Sequence, residues 1–162
     1  MKKKPDINYS ALKEKELPQI HQTMVKAFAD YQIDMSYMTE DRLRYRAIKN
    51  GVDYMLSVGA FFRREMVGFT LVGIDDWKGR RAAFDAGTGI IPEFRGQGIA
   101  KKMFEFALPK LKSMGIQTFV LEVLQDNEPA IKAYQKTGFQ ISREFTCYQL
   151  EIKKVNLKKN IH

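Results

Sequence analysis

Ile90-Ile-Pro-Glu-Phe-Arg-Gly-Gln-Gly-Ile-Ala100 is the stretch on which the reading of this chain turns. An apolar strand end, Ile90-Ile91, passes through Pro92 into a glycine-rich turn and directly into an amphipathic helical pattern. Glycines at 96 and 98 let the backbone turn sharply and allow close approach of a ligand. The helix that opens there presents unpaired N–H groups and the positive end of its dipole. Such a loop suits a phosphate or pyrophosphate. It is neither the G-x-G-x-x-G of a dinucleotide fold nor a P-loop, because no Gly-Lys-Ser/Thr follows. An isolated Gly-x-Gly would read as a tight turn and nothing more.

Working outward, the pattern downstream predicts a helix from Gly98 to Met114, stopped by Gly115 and bent or broken at Pro109. A strand over 116–124, a helix over 128–137 closed by Gly138, and a final strand pair over 139–145 and 147–155 follow. Upstream, 55–62, 66–74 and 82–91 are rich in Val, Ile, Phe and Thr and read as a three-strand meander, with 63–65 and 75–81 as its connections. Ahead of it, Ile7 to Leu12 reads as a first strand. Ile20, Met24, Ala27, Phe28 and Tyr31 then mark one face of a helix opened by Pro18. A second helix starts at Thr39-Glu-Asp-Arg and stops at Asn50-Gly51. The order β, α, α, β, β, β, α, β, α, β, β defines a mixed α/β (α+β) sandwich of sheet and helices. With no internal repeat or linker, residues 1–162 read as a single domain.

The chain has 162 residues with 27 Lys+Arg against 19 Asp+Glu, a net charge of +8, and 44% hydrophobic residues, which excludes disordered and collagenous classes. The excess charge sits at the ends: Lys2, Lys3, Lys4, Lys153, Lys154, Lys158 and Lys159 account for seven positives, leaving residues 5–152 at 20 basic against 19 acidic. Short Lys-rich tails at about 1–4 and 156–162, rather than a basic face, therefore set the pI, and nucleic acid is not the expected partner. Cys147 is the only cysteine, and His21 and His162 are the only histidines, so no metal site is expected. Cys147 reads as a small buried residue. No apolar h-region follows the first lysines, and the longest apolar stretch, Met66 to Ile74, is too short to span a bilayer. A cytoplasmic protein without a membrane partner is the expectation.

The glycine loop has company. Arg95-x-x-Gly98-x-Ala100, led by Ile90-x-Pro92, resembles the acetyl-CoA-binding motif of the GNAT superfamily of N-acetyltransferases. Leu121-Glu122-Val123 followed by Asn127-x-x-Ala130-Ile131-x-x-Tyr134-x-x-x-Gly138-Phe139 is similar to the second signature of the same superfamily. The resemblance covers almost the whole element order. It implies a mostly antiparallel sheet with helices on both faces and splayed fourth and fifth strands. Acetyl-CoA is then the co-substrate, and an amine, of a small molecule or a protein, is the acceptor.

It also implies roles. The CoA pyrophosphate would rest on the loop amides of Arg95, Gly96, Gln97, Gly98, Ile99, Ala100 and Lys101, and the pantetheine arm would pair with the backbone of Ile90 and Ile91. Asn127 would meet the cofactor from the other side. Tyr134 would be the general acid, and it follows Asn127 by seven residues, close to two helical turns, so both can share a face. A phenol of pKa roughly 10 can donate a proton or a hydrogen bond to a departing thiolate of roughly 8.5. The attacking amine must be neutral, and Glu122, Asp85 or a water relay could take its proton. Acceptor recognition would fall to the Asp30–Met38 segment, with Tyr31, Asp34 and Tyr37, and to the strand-end loop carrying Trp77. Carboxylates among aromatic rings suit a cationic amine.

Two other functions fit the same residues: a catalytically silent GNAT-fold protein acting as an acyl-CoA sensor or interaction module, and a nucleic-acid binder using its Lys-rich ends. A homodimer is compatible with the superfamily.

Overall fold

The structure, a computed structural model, describes residues 5–151. Its strands are β1 (Asn8–Ala11), β2 (Val58–Phe62), β3 (Glu65–Trp77), β4 (Arg80–Ile90) and β5 (Phe119–Val120), and its helices are α1 (Leu17–Ala27), α2 (Glu40–Lys49), α3 (Ile99–Ser113) and α4 (Glu128–Thr137). The strands form one sheet in the order β1-β2-β3-β4-β5. Every pairing is antiparallel except β4 with β5.

Each face of the sheet carries its own apolar core. On one face Leu17, Ile20 and Met24 of α1 pack with Phe69 and Leu71 of β3. On the other, Ile99, Met103, Ala107 and Leu111 of α3 cover Val58, Ala60, Val72 and Ala83. The three- and four-residue spacing of these helical positions, set against the two-residue spacing of the strands, commits each element to a single face. Helices thus lie on both sides of a mostly antiparallel sheet. α2 is capped by Thr39, whose Oγ1 accepts from the Arg42 N–H at 3.3 Å, and stops at Gly51, whose φ is +60°.

Two bulges adjust β3. One separates Ala60↔Gly68 from Phe61↔Met66, and the other separates Leu71↔Gly87 from Val72↔Asp85, leaving Ala86 of β4 as the extra residue. The second sets the site. Residues 85 and 88 of an unbroken strand would point to opposite faces, but the additional residue returns Asp85 to the face of Thr88, its neighbour Thr70 and Val72, toward α3.

Several sequence expectations are corrected. β3 and β4 extend to Trp77 and from Arg80, so the connection expected over 75–81 shrinks to Lys78-Gly79. The fifth strand is confined to Phe119–Val120, and residues 139–151 form no strand; the rest of the expected final pair lies outside the described residues. Ile141, Phe145, Tyr148 and Leu150 carry strand-forming side chains, but β-propensity is realised only against a partner edge, and all four are exposed. α1 ends at Ala27, leaving Phe28 and Tyr31 beyond it. α3 runs unbroken through Pro109, which sits on the exposed side, where the unused carbonyl of Glu105 meets water. Cys147 is exposed, not buried.

Candidate active site

β4 and β5 are hydrogen-bonded only at their near ends. Ala83 pairs with Phe119 and Phe84 with Val120, and the Ala83 N–H donates to the Thr118 carbonyl at 2.9 Å. Beyond Phe84 the two chains part, so β4 presents a free edge over 85–90. Ile91 donates its N–H to Val67 of β3 at 3.0 Å, whereas the carbonyl of Ile90 accepts from Arg95 Nε at 3.2 Å. Alternation along the strand puts Ile90, and not Ile91, on the open edge.

The glycine loop lies at the end of that edge. Pro92–Phe94 form a 3-10 turn in which the Arg95 N–H donates to the Pro92 carbonyl at 3.2 Å. Gly96 and Gly98 have φ of +73° and +78°, which side chains avoid, and a Cβ at either would meet no atom within 4 Å. The space a side chain would fill is therefore open, directly over the first turn of α3. There the N–H groups of Ile99, Ala100 and Lys101 lack intrahelical acceptors. A helix start of this kind, with open space beside its glycine turn, suits an anion. Gln97 Nε2 closes the loop onto the Glu93 carbonyl at 3.4 Å, and Lys101 pairs with Glu105 at 3.7 Å.

Arg95 works through its side chain differently from its neighbours. Its guanidinium donates to both Asp30 oxygens at 2.6 and 2.8 Å and to the Ala27 carbonyl at 2.7 Å, besides Ile90. It braces the loop against the end of α1. The pair with Asp30 holds that carboxyl below its ordinary range, first through the hydrogen bond.

Asp85 stands on the free-edge stretch of β4, near enough for its charge to act on the Tyr134 phenol. Asp85 keeps some surface as a residue, but protein atoms enclose its carboxyl group. Oδ1 accepts from the Gly87 N–H at 2.9 Å and Oδ2 from Thr88 Oγ1 at 2.9 Å. Burial pushes its pKa from 3.8 up to about 6, against the opposing pull of these hydrogen bonds. Tyr134, on α4, stands edge-on to Phe104 and Phe139, each at 6.0 Å between ring centroids. Burial, and then the neighbouring charges of Asp85 and Tyr31, raise its phenol well above the ordinary value.

The other candidates are dispersed. Glu122 is exposed and pairs with Arg143 at 3.7 Å. Asn127 caps α4, its Oδ1 accepting from the Ala130 N–H at 3.3 Å. Trp77 packs on Phe84 and is covered by the chain's own Lys78 and Arg143, the latter at 5.0 Å. Tyr31 lies against Phe28 at 5.1 Å and near Tyr134. Asp34 is tied to Ser36, whose N–H lies at 2.8 Å and lowers its pKa, and Tyr37 carries Arg42 over its ring at 5.8 Å.

Sequence reasoning missed Asp30, Thr70, Thr88 and Asp126. Asp30 stands 65 positions from Arg95. Turned so that its amide nitrogen faces Asp126, Gln32 lies 3.0 Å from that carboxylate, a second tie from the segment after α1 to the region of the gap. Only a paired register of β3 and β4 could have brought Thr70 and Thr88 together. Among the described residues no group of three or more His, Cys, Asp or Glu is placed to hold a metal, and no helix is long and apolar enough to cross a membrane.

The strand edge opened by splaying and the glycine turn that leads into α3 are the arrangement that the GNAT resemblance implies. The family model for the acetyltransferase (GNAT) family matches residues 17–139, and the chain belongs to that family. The spermine/spermidine N(1)-acetyltransferase of Bacillus subtilis is 27% identical over 119 residues, covering 70% of this chain and 77% of that protein. N-alpha-acetyltransferase 30 of Schizosaccharomyces pombe is 46% identical over 50 residues, 31% of this chain and 33% of that one, so the chain spans about a third of that relative. Among solved structures, the fold matches aminoglycoside N-acetyltransferase AAC(6')-Iy in complex with CoA at a TM-score of 0.71 and 15% identity, covering 93% of this chain and 98% of that one. It also matches a predicted acetyltransferase with acetyl-CoA from Clostridium acetobutylicum at 0.70 and 19%, covering 89% and 96%.

Proposed function

We propose that this chain transfers an acetyl group from acetyl-CoA to a primary amine by direct attack within a ternary complex, with Asp85 as general base and Tyr134 as general acid. The observation that carries this reading is the juxtaposition of Asp85 and Tyr134 beside the free edge of β4, at whose end the Gly96–Lys101 cradle opens. The loop amides would hold the pyrophosphate, and the Ile90 edge would align the pantetheine arm so that the thioester reaches the gap.

Proton traffic follows from the two environments. An aliphatic ammonium of pKa roughly 10.4, or an α-amine of roughly 7.7–8.0, must lose a proton to become nucleophilic. Asp85, at about 6, is ionised at neutral pH yet basic enough to accept that proton as the nitrogen bonds to the carbonyl carbon. As the C–S bond breaks, the sulfur takes the Tyr134 proton or its hydrogen bond. The raised Tyr134 pKa keeps the hydroxyl protonated until then. Once Asp85 is neutral, the charge that helped to raise Tyr134 is gone, so the phenol becomes a better donor when it must donate. Asp85 then returns its proton to the phenolate. The net movement is one proton from amine to CoA thiol.

Glu122 is the weaker candidate for the base, since it is exposed and already paired with Arg143. For the acceptor, the ionised Asp34 near the segment after α1 and the occupied ring of Trp77 favour recognition of a cationic amine by charge more than by cation–π contact.

The test is CoA-thiol release by the full chain against spermidine, an aminoglycoside and a peptide with a free α-amine. Turnover well above acetyl-CoA hydrolysis with one of them supports the reading. Tight CoA binding by calorimetry without turnover on any amine would instead favour the silent acyl-CoA-binding module.

A further inference from the structure

Two hydroxyls, those of Thr70 and Thr88, stand beside Asp85. Thr70 is fully buried on β3, and its Oγ1 lies 2.7 Å from Oγ1 of its cross-strand partner Thr88, which in turn lies 2.9 Å from Asp85 Oδ2. The Ala86 bulge is what aligns the three, because without it Asp85 would face α1. A hydroxyl is both donor and acceptor and rotates freely to suit its neighbours. With Asp85 ionised, Thr70 donates to Thr88 and Thr88 donates to Oδ2. With Oδ2 protonated, the carboxylic acid donates to Thr88, and Thr88 turns its proton toward Thr70.

We propose that Thr88 and Thr70 are positioning residues for acetyl transfer: a buried chain of two hydroxyls that reverses its donor direction when Asp85 gains a proton, so that one geometry serves the base before and after it acts. This rests on the reading of Asp85 as the base. A single fixed donor, such as the Gly87 N–H on Oδ1, favours only the carboxylate, and an apolar neighbour favours only the acid; the hydroxyl pair favours the carboxylate, lowering the Asp85 pKa, yet unlike a fixed donor it can still accept from the acid.

The groups around Asp85 are few. Tyr134 faces it from α4, with Tyr31 beyond. The charged side chains of α3, Lys101, Lys102 and Glu105, are exposed, His21 of α1 is bonded to the Met38 carbonyl at 2.7 Å, and Arg95 is committed to Asp30. Loss of the Thr88 hydroxyl therefore acts on Asp85 directly.

Thr88→Val should raise the Asp85 pKa, moving the acid limb of kcat/KM against pH upward by about one pH unit, a roughly fivefold loss at pH 6 that fades on the alkaline plateau. Thr88→Ser should restore the profile, and Thr70→Val, which removes the weaker of the two hydroxyl influences on Asp85, should give a smaller shift in the same direction. The kinetics use the best acceptor from the amine panel. A carbon-13 NMR titration of the Asp85 carboxyl without any acceptor runs in parallel, with Thr70→Ala and Thr88→Ala used if a valine variant folds poorly. An unmoved Asp85 titration in Thr88→Val, with Asp85→Asn inactive, overturns this inference alone. Full activity in Asp85→Asn overturns the base assignment and this inference with it.

Discussion

Tyr134 is held protonated by its surroundings. Its ring is wedged edge-on among Phe104 and Phe139, and only its hydroxyl is available for chemistry. Tyr134→Phe keeps the ring and those contacts while deleting the donor. We expect kcat to fall about 10²–10⁴-fold with the acetyl-CoA dissociation constant little changed, measured by steady-state kinetics and calorimetry. Raising the pH should not rescue it, because the lost group is an acid. Full turnover with the best amine would return Tyr134 to a packing role. At this scale the sequence is legible where function is local in the chain. Gly96, Gly98 and Tyr134 announce themselves by spacing within one loop and one helix. Asp85 was readable only as one of two carboxylates, because its separation from Glu122 depends on burial. Thr70 and Thr88, 18 positions apart, become neighbours only through the strand register and stay invisible to a linear reading.

The glycine loop and α3 act as one element. α3 begins with Gly98 in the left-handed region, and any side chain there must adopt a φ of +78°. Gly98→Val should therefore cost about 1–2 kcal/mol in a urea melt and, because its Cβ would fill the open cradle, weaken CoA binding at least about tenfold. Unchanged affinity in a folded variant would place the pyrophosphate elsewhere. Arg95 gives a second handle on the same element. Arg95→Lys retains the charge but cannot span Asp30, Ala27 and Ile90 with one planar fork, so CoA affinity should drop although the side chain's own contacts lie outside the cradle. CoA binding equal to the parent in calorimetry would show the brace to be dispensable. Elements with strong internal periodicity were readable from sequence: α2, α3 and α4 stand close to where the pattern puts them, and α1 and the β2–β4 meander do so with shifted ends. The segment after Phe139 was not, since a strand's existence depends on the neighbouring edge, and β5 offers only Phe119 and Val120 as a ladder to β4.

For the whole molecule, the proposed base is a liability to the fold. Asp85 stands on the α3 face of the sheet beside Val72, and its folded pKa of about 6 exceeds the 3.8 of an ordinary aspartate. A raised carboxyl pKa means the folded chain binds the proton more tightly than the unfolded chain. The stability it contributes is complete below about 3.8 and is lost as pH rises through about 6. That difference corresponds to on the order of 3 kcal/mol between pH 4 and pH 7.5. Asp30 and Asp34, whose pKa values are lowered, carry the opposite sign and lose their contribution as pH falls, so an absolute pH profile mixes the two. Comparing the parent with Asp85→Asn cancels the shared carboxylates. The asparagine can be accommodated by the same reversal of the hydroxyl pair, its amide donating to Thr88 while its oxygen accepts from Gly87. In urea melts at both pH values, the variant should gain on the parent between pH 4 and pH 7.5 by on the order of 3 kcal/mol, while acetyl transfer falls away. Parallel pH profiles for the two proteins would mean that Asp85 titrates as an ordinary surface carboxylate and that the fold bears no cost for holding it.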